Sequence, residues 1–184
     1  MRALPRARQT AILSLGDLTC RAALGRGGMN RVKREGDGAT PVGCLTLEWC
    51  ALRADRRPAM PRPALPTIAL SWDDGWCDAP ESRRYNRPVR LPFRASAEKM
   101  WRGDHLYDVV IGLSWNTAPA RRGLGSAIFF HLARPGLTPT EGCVAVPRAM
   151  MRLLLPRLRP GCKMLLLPPG DSGPKLRRPK GKRR

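Results

Sequence analysis

Histidine is nearly absent from this chain: His105 and His131 are the only two among 184 residues. Any imidazole chemistry therefore rests on one of two positions. The six cysteines (Cys20, Cys44, Cys50, Cys77, Cys143 and Cys162) contain no C-x-x-C pair, and no histidine stands at finger spacing from them. These spacings argue against a zinc site, and no metal or organic cofactor is expected. If one thiol must stay free for chemistry, an odd number remains, which argues against a full disulfide framework. Aromatic residues make up only 5% of the chain and are not interleaved with basic ones, unlike the stacking platforms of nucleic-acid readers. Long apolar runs are missing too. Nothing approaches the roughly 20 residues of a membrane span. Ala11 to Leu15 is shorter than the about 7–15 residues of a secretory h-region, and Asp17 breaks its extension. The Gly25-Arg26-Gly27-Gly28-Met29 stretch lacks the lysine and hydroxyl of a phosphate-binding loop.

Acidic residues are scarce as well, 14 against 34 basic ones, for a net charge of +20. Such an excess suits a polyanionic partner: nucleic acid, an anionic membrane face or an acidic wall polymer. Arginine dominates the basic residues beside abundant Ala, Gly and Pro, and a GC-rich coding sequence produces the same bias. The length suits one domain with a real core. We expect it over residues 1–168, followed by a basic disordered tail over 169–184 that adheres to anionic surfaces through Lys175, Arg177, Arg178, Lys180, Lys182, Arg183 and Arg184.

With 18 glycines and 19 prolines, turns and short strands are favoured over long helices. Thr10–Leu15 and Leu18–Leu24 read as a hairpin about Gly16-Asp17. Val42–Leu52 reads as a strand with Cys44 and Cys50 on one face by the period of two. Thr67–Leu70, Tyr107–Trp115, Ala127–Phe130 and Cys162–Leu167 read as further strands. Ser96–Arg102 reads as a short helix capped by Ser96, with Glu98 in its first turn. A second helix begins at Pro147, and its N-terminal dipole would lie close behind Cys143. Asp73, Asp74 and Asp78 read as turn chemistry rather than as an acid–base pair. His105 reads as a histidine at the start of a strand.

His131 ends the apolar run Ala127–Phe130 and stands 12 positions before Cys143. That spacing can bring an imidazole to a thiol, as a cysteine nucleophile requires. Gly142, without a Cβ, lets backbone approach a substrate carbonyl. Amide N–H groups at Gly142 and Cys143 could then face an oxyanion, a donor typically worth roughly 3–4 kcal/mol of barrier. Cys143 as a small buried hydrophobe and His131 as a satisfied strand histidine is the competing reading.

Thr140-x-Gly142-Cys143-Val144 with His131 upstream resembles the signature of the YkuD-type L,D-transpeptidases. Three more stretches resemble a compact branch of that family: Lys33 through Gly43; Asp73-Asp74-Gly75-Trp76-Cys77-Asp78 with Tyr85-Asn86-Arg87-Pro88-Val89; and Trp101–Asp108 running into Val109-Val110-Ile111. Their order and spacing fit over roughly residues 8–167. Glu141 stands where the larger family usually has a second histidine, and Ala145 where many members carry arginine. The resemblance implies a mainly β, YkuD-like β-sandwich, with Cys143 as nucleophile, His131 as base and peptidoglycan stem peptides as substrate. It also implies a periplasmic or envelope location, although no export signal is legible. Two other classes stay open: a basic binding protein for a polyanion, and a cysteine hydrolase acting on another amide or ester.

Overall fold

The computed structural model describes residues 1–5, 7–56 and 59–171. The charged residues of the expected tail, from Lys175 onward, lie outside the described residues. Strands dominate. β1 (Arg2–Leu4), β2 (Ala7–Leu15) and β3 (Leu18–Ala23) open the chain, and β2 and β3 form the expected hairpin with Leu15 opposite Leu18. Gly16 takes a φ of +59°, which a glycine adopts without strain. β4 (Met29–Asn30) and β5 (Thr40–Pro41) form a small parallel pair around the glycine-rich charged stretch. β6 (Gly43–Leu52), β7 (Thr67–Ala69), β11 (Val109–Leu113), β12 (Phe129–Leu132), β13 (Val144–Val146) and β14 (Lys163–Leu166) complete the large sheet. Its order is β1-β2-β3-β13-β12-β11-β6-β14, with β7 also on β6.

A second, three-stranded sheet consists of β10 (Ala97–Lys99), β8 (Asp74–Cys77) and β9 (Arg87–Arg90) in that order. It covers one face of the large sheet, where Trp76 meets Trp49 and Phe129 at ring-centroid distances of 5.5 and 5.2 Å. Met100, Tyr107, Val110 and Cys143 belong to the same apolar cluster. The opposite face holds the larger core, in which Ile111, Phe130, Leu132, Val144 and Val146 meet Met151, Leu154 and Leu155 at the helix α1 (Arg148–Leu154) and just beyond it. The strands at the centre of the sheet, β11, β12 and β13, are buried on both faces, so they read as continuous apolar runs rather than as alternations. This is the mainly β, single-domain architecture that the sequence suggests.

Three expectations are corrected. Ser96–Arg102 is not a helix: Ala97–Lys99 pair antiparallel with β8, Glu98 opposite Trp76. Pairing across the sheet overrides a weak local preference. Cys44 and Cys50 do not share a face. The pairing of β6 with β11 skips a residue between Leu47 and Trp49, a bulge that shifts the alternation by one. Leu45, Leu47 and Cys50 consequently face the core together, while Cys44 is exposed. Nor does α1 follow Cys143 directly, because β13 intervenes and turns the chain away.

The bulge leaves the Trp49 indole against Gly112 of β11. A Cβ at Gly112 would lie 2.3 Å from that ring. Gly112→Ala is therefore expected to cost about 1–3 kcal/mol through overpacking. For a chain of this size that lowers Tm by roughly 2–4 °C per kcal/mol, measurable by thermal denaturation. An unchanged Tm would show that the indole moves freely.

Candidate active site

The two residues singled out by the sequence lie on adjacent parallel strands. In the β12–β13 ladder Phe130 is level with Val144 and His131 with Ala145. Cys143, one step before Val144, lies beside Phe129. Side chains alternate faces along a strand, so Phe129, His131, Cys143 and Ala145 all point to the side covered by the small sheet. His131 is the third residue of β12 rather than a residue beyond its end. Both side chains line one cleft of about 280 Å³, together with Glu98, Tyr107, Arg102 and Thr140.

The loop that closes on Cys143 has little freedom. Gly142 has a φ of +133°, and a Cβ there would lie 2.9 Å from the Ala39 carbonyl oxygen. Only glycine fits that approach. The Thr140 hydroxyl accepts the Gly142 N–H at 3.2 Å and donates to the Cys143 carbonyl at 2.7 Å. Thr40 approaches the same carbonyl at 3.4 Å while its oxygen accepts the Gly25 N–H at 2.8 Å. Residues 33–39, which carry Ala39, are fixed by Lys33. It is 4% exposed and donates to Asp37 at 2.5 Å and to the Arg34 carbonyl at 2.6 Å.

The thiol of Cys143 donates to the Ala127 carbonyl at 3.1 Å and accepts the Phe129 N–H at 3.2 Å. His131 is 4% exposed, with its Nδ1 2.8 Å from the Leu132 carbonyl. A carbonyl only accepts, so the neutral ring carries its proton on Nδ1 and Nε2 is left as the basic nitrogen. Tyr107 stands edge-on to the imidazole at 5.2 Å. Its hydroxyl donates to Glu98 at 2.5 Å.

Burial dominates the ionisation of this group. It lowers the His131 imidazole to about 4. It pushes the Cys143 thiol far up, and the Glu98 carboxylate adds to that, while the Phe129 N–H and Lys33 pull the other way. The Glu98 carboxyl is itself raised, by burial first, against the Tyr107 hydrogen bond and Arg102. At neutral pH the resting pair is thus an uncharged thiol and an uncharged imidazole.

The other residues named from sequence lie elsewhere or act differently. The His105 side chain is 73% exposed, with Nδ1 2.9 Å from Asp108 Oδ2, and takes no part in the cleft. Asp74 accepts the Ser71 N–H at 2.7 Å, and Arg90 bridges Asp73 and Asp74, which is turn chemistry. Asp78, by contrast, lines the cleft. Glu141 stands at the rim, 3.2 Å from Arg26. Sequence reasoning missed Glu98, Tyr107 and Asn86. Asn86 is buried with a φ of +55° and accepts from both Trp76 Nε1 at 2.9 Å and Ala127 N–H at 3.1 Å. It thereby holds the carbonyl that the thiol uses. The signal for Glu98 was available only to a strand reading of residues 97–99, in which alternate side chains face inward.

The family model described as the L,D-transpeptidase catalytic domain, YkuD, matches residues 6–166. No curated protein and no solved structure matches the chain.

Burial of an uncharged imidazole gives the fold a pH dependence. The folded-state pKa lies below the ordinary 6.5, so the unfolded chain binds the extra proton. Full stability is present above 6.5 and is lost as pH falls toward about 4, by up to about 3 kcal/mol. Urea midpoints at pH 7, 5.5 and 4.5 for wild type and His131→Gln should diverge at high pH and converge at low pH. The difference between the two proteins removes contributions from carboxylates common to both. Parallel curves would show that the imidazole is already accessible in the native state.

Proposed function

We infer, for a chain that belongs to the YkuD family of L,D-transpeptidase catalytic domains, that it performs the acyl transfer of that family through a thioester on Cys143. The family acts on peptidoglycan and is associated with the cell envelope. For this chain the substrate is a stem peptide ending in a D-amino acid. The observation that carries the reading is the placement of His131 and Cys143 on one face of neighbouring parallel strands, in one cleft, with His131 Nδ1 held by the Leu132 carbonyl.

The step runs as follows. The thiol leaves the Ala127 carbonyl and gives its proton to His131 Nε2 while sulfur attacks the carbonyl preceding the terminal D-amino acid. The S–C bond forms, the C–N bond breaks, and the proton passes from His131 to the leaving amine. An amine of a second stem then attacks the thioester and returns a proton through His131 to the sulfur. Water in place of that amine gives hydrolysis. Because burial opposes both charges, proton transfer must accompany attack instead of preceding it. The N–H groups of Gly142 and Cys143 serve the oxyanion. The Gly142 N–H is held meanwhile by the long 3.2 Å bond to Thr140, which can be exchanged for a charged acceptor. Ala145, level with His131, presents only a methyl group to the cleft and leaves room for the stem. The net charge of +20 suits work on an acidic wall polymer. Among the described residues no helix is long and apolar enough to cross a membrane.

Intact-protein mass spectrometry tests the reading. Wild type exposed to a carbapenem or to a tetrapeptide stem should gain a covalent adduct and release the terminal D-alanine. Cys143→Ala should do neither. A thiol that alkylates normally yet forms no adduct and no product would exclude transpeptidation and favour a non-catalytic basic binding protein.

A further inference from the structure

Asn86, Asn116 and Ala127 all take left-handed backbone, with φ of +55°, +53° and +51°. Asparagine tolerates this region, because its short polar side chain bonds locally. Alanine has no such means of offsetting the strain, so its neighbours must hold Ala127 there. Asn86 is 1% exposed, and its side chain makes every bond an amide can make. Oδ1 accepts the Trp76 indole N–H at 2.9 Å and the Ala127 N–H at 3.1 Å. Nδ2 donates to the Trp115 carbonyl at 3.1 Å and to the Asn116 carbonyl at 2.7 Å. The two N–H groups only donate and the two carbonyls only accept, so the amide has one orientation. Asn116 closes the other side of the same connection between β11 and β12. Its Nδ2 donates to the Arg121 and Gly125 carbonyls, both at 2.9 Å. Residues 115–127 are thus clasped from both ends before the chain enters β12.

The clasp ends at the nucleophile. With the Ala127 N–H held by Asn86, the φ of +51° fixes where the carbonyl of the same residue points. It points at Cys143, whose thiol donates to it at 3.1 Å while the sulfur accepts the Phe129 N–H at 3.2 Å. These are the thiol's hydrogen bonds among the described residues, and neither goes to His131. A thiol bonded to a carbonyl keeps its hydrogen, because a thiolate would set its charge against the lone pairs of the oxygen. Rotation of Ala127 out of the left-handed region would turn that carbonyl away from the sulfur.

We propose that Asn86 is a positioning residue for the nucleophile: by fixing the Ala127 N–H it keeps Ala127 left-handed with its carbonyl latched on the Cys143 thiol, and the sulfur reaches His131 only when this latch opens. This rests on the acyl-transfer reading above and adds to it a control on the resting nucleophile. No covalent bond changes when the latch opens. The thiol exchanges its hydrogen bond to the Ala127 carbonyl for one to His131 Nε2. Glycine substitutions distinguish a latch from a structural support. Ala127→Gly removes one methyl group and suits the left-handed region, so it favours the latched conformation without loosening the fold. Asn86→Gly keeps a backbone that suits φ of +55° and removes all four side-chain bonds.

The test alkylates the full chain with iodoacetamide and reads each cysteine by peptide mapping. Exposed Cys44 reports the reagent, and buried Cys50 and Cys77 report general loosening. Ala127→Gly should slow Cys143 by about fivefold or more, the population ratio that relief of left-handed strain produces, with Tm not lowered. A support that was merely loosened would change in the opposite direction. Asn86→Gly should speed Cys143 relative to Cys44 while Cys50 and Cys77 stay protected. In a second arm, acylation of Cys143 by a tetrapeptide stem is followed by mass spectrometry. Ala127→Gly should lower its maximal rate and leave the half-saturating concentration unchanged. Cys143 alkylation in Ala127→Gly that matches or exceeds wild type overturns the proposal. So does Asn86→Gly exposing Cys50 and Cys77 in step with Cys143. Should Asn86→Gly fail to fold, Ala127→Gly decides alone. If the stem does not acylate wild type, the acyl-transfer reading fails, and the alkylation arm still decides whether the latch holds the thiol.

Discussion

The site depends on the register of one parallel strand pair. Parallel neighbours require a crossover, and here the chain returns from β12 to β13 through residues 133–143 without a long helix. The return sets His131 level with Ala145 and leaves Cys143 beside Phe129, so imidazole and thiol emerge on one face, offset along the strands. A slip of one residue would send the thiol into the opposite core among Phe130 and Val144. Register is pinned at both ends. Val144 and Val146 are buried in the large core, and Gly142 is pressed against the Ala39 carbonyl. Thr140, Thr40 and the Lys33–Asp37 pair all serve that second contact, which gives the charged stretch 33–40 a structural purpose that its composition alone does not reveal.

The same packing that fixes the pair suppresses its charge. The rings of Trp49, Trp76, Phe129 and Tyr107 pack together in the apolar cluster that includes Cys143. Burial then favours the neutral forms of His131 and Cys143 alike. A preformed thiolate–imidazolium pair would have to overcome that cost in every resting molecule. In the acyl transfer proposed for Cys143, a neutral pair places that cost in the reaction itself, where contacts formed with substrate can offset it. In the proposed acyl transfer the thiol bond to the Ala127 carbonyl is one such deferred cost, because it breaks as sulfur turns to the substrate.

What the sequence disclosed follows from how local each signal is. The β2–β3 hairpin was legible from two apolar runs about Gly16-Asp17, and the meeting of His131 and Cys143 in one cleft from the scarcity of histidine and the glycine before the cysteine. The four stretches resembling the family were legible because each keeps its own residues in order. Signals that depend on partners were not. Residues 96–102 carry helix-compatible composition, and only the presence of β8 makes Ala97–Lys99 a strand. Cys44 and Cys50 obey a period of two until the bulge, whose cause lies in the meeting of Trp49 with Gly112 across the ladder. The acidic wall was hidden for the same reason: Glu98 was assigned to a helix surface and Asp78 to a turn, and their meeting exists only once β10 has paired with β8.

Charge acts here on two length scales with opposite signs. At a distance the molecule is a polycation, and a polyanion responds to its net charge through long-range attraction, screened beyond roughly 8–10 Å at physiological salt. Within the cleft, screening by ions is weak, and the local sign is set by a few groups. Arg102, Arg26 and Lys33 are each paired with a carboxylate, and Arg134 also lines the cleft. Among the described residues, Asp78 Oδ1 has no hydrogen-bond partner. A basic surface and a cleft lined by both carboxylates and guanidinium groups are therefore compatible in one molecule. Net charge alone does not set the potential at the thiol, which the few charged groups lining the cleft decide.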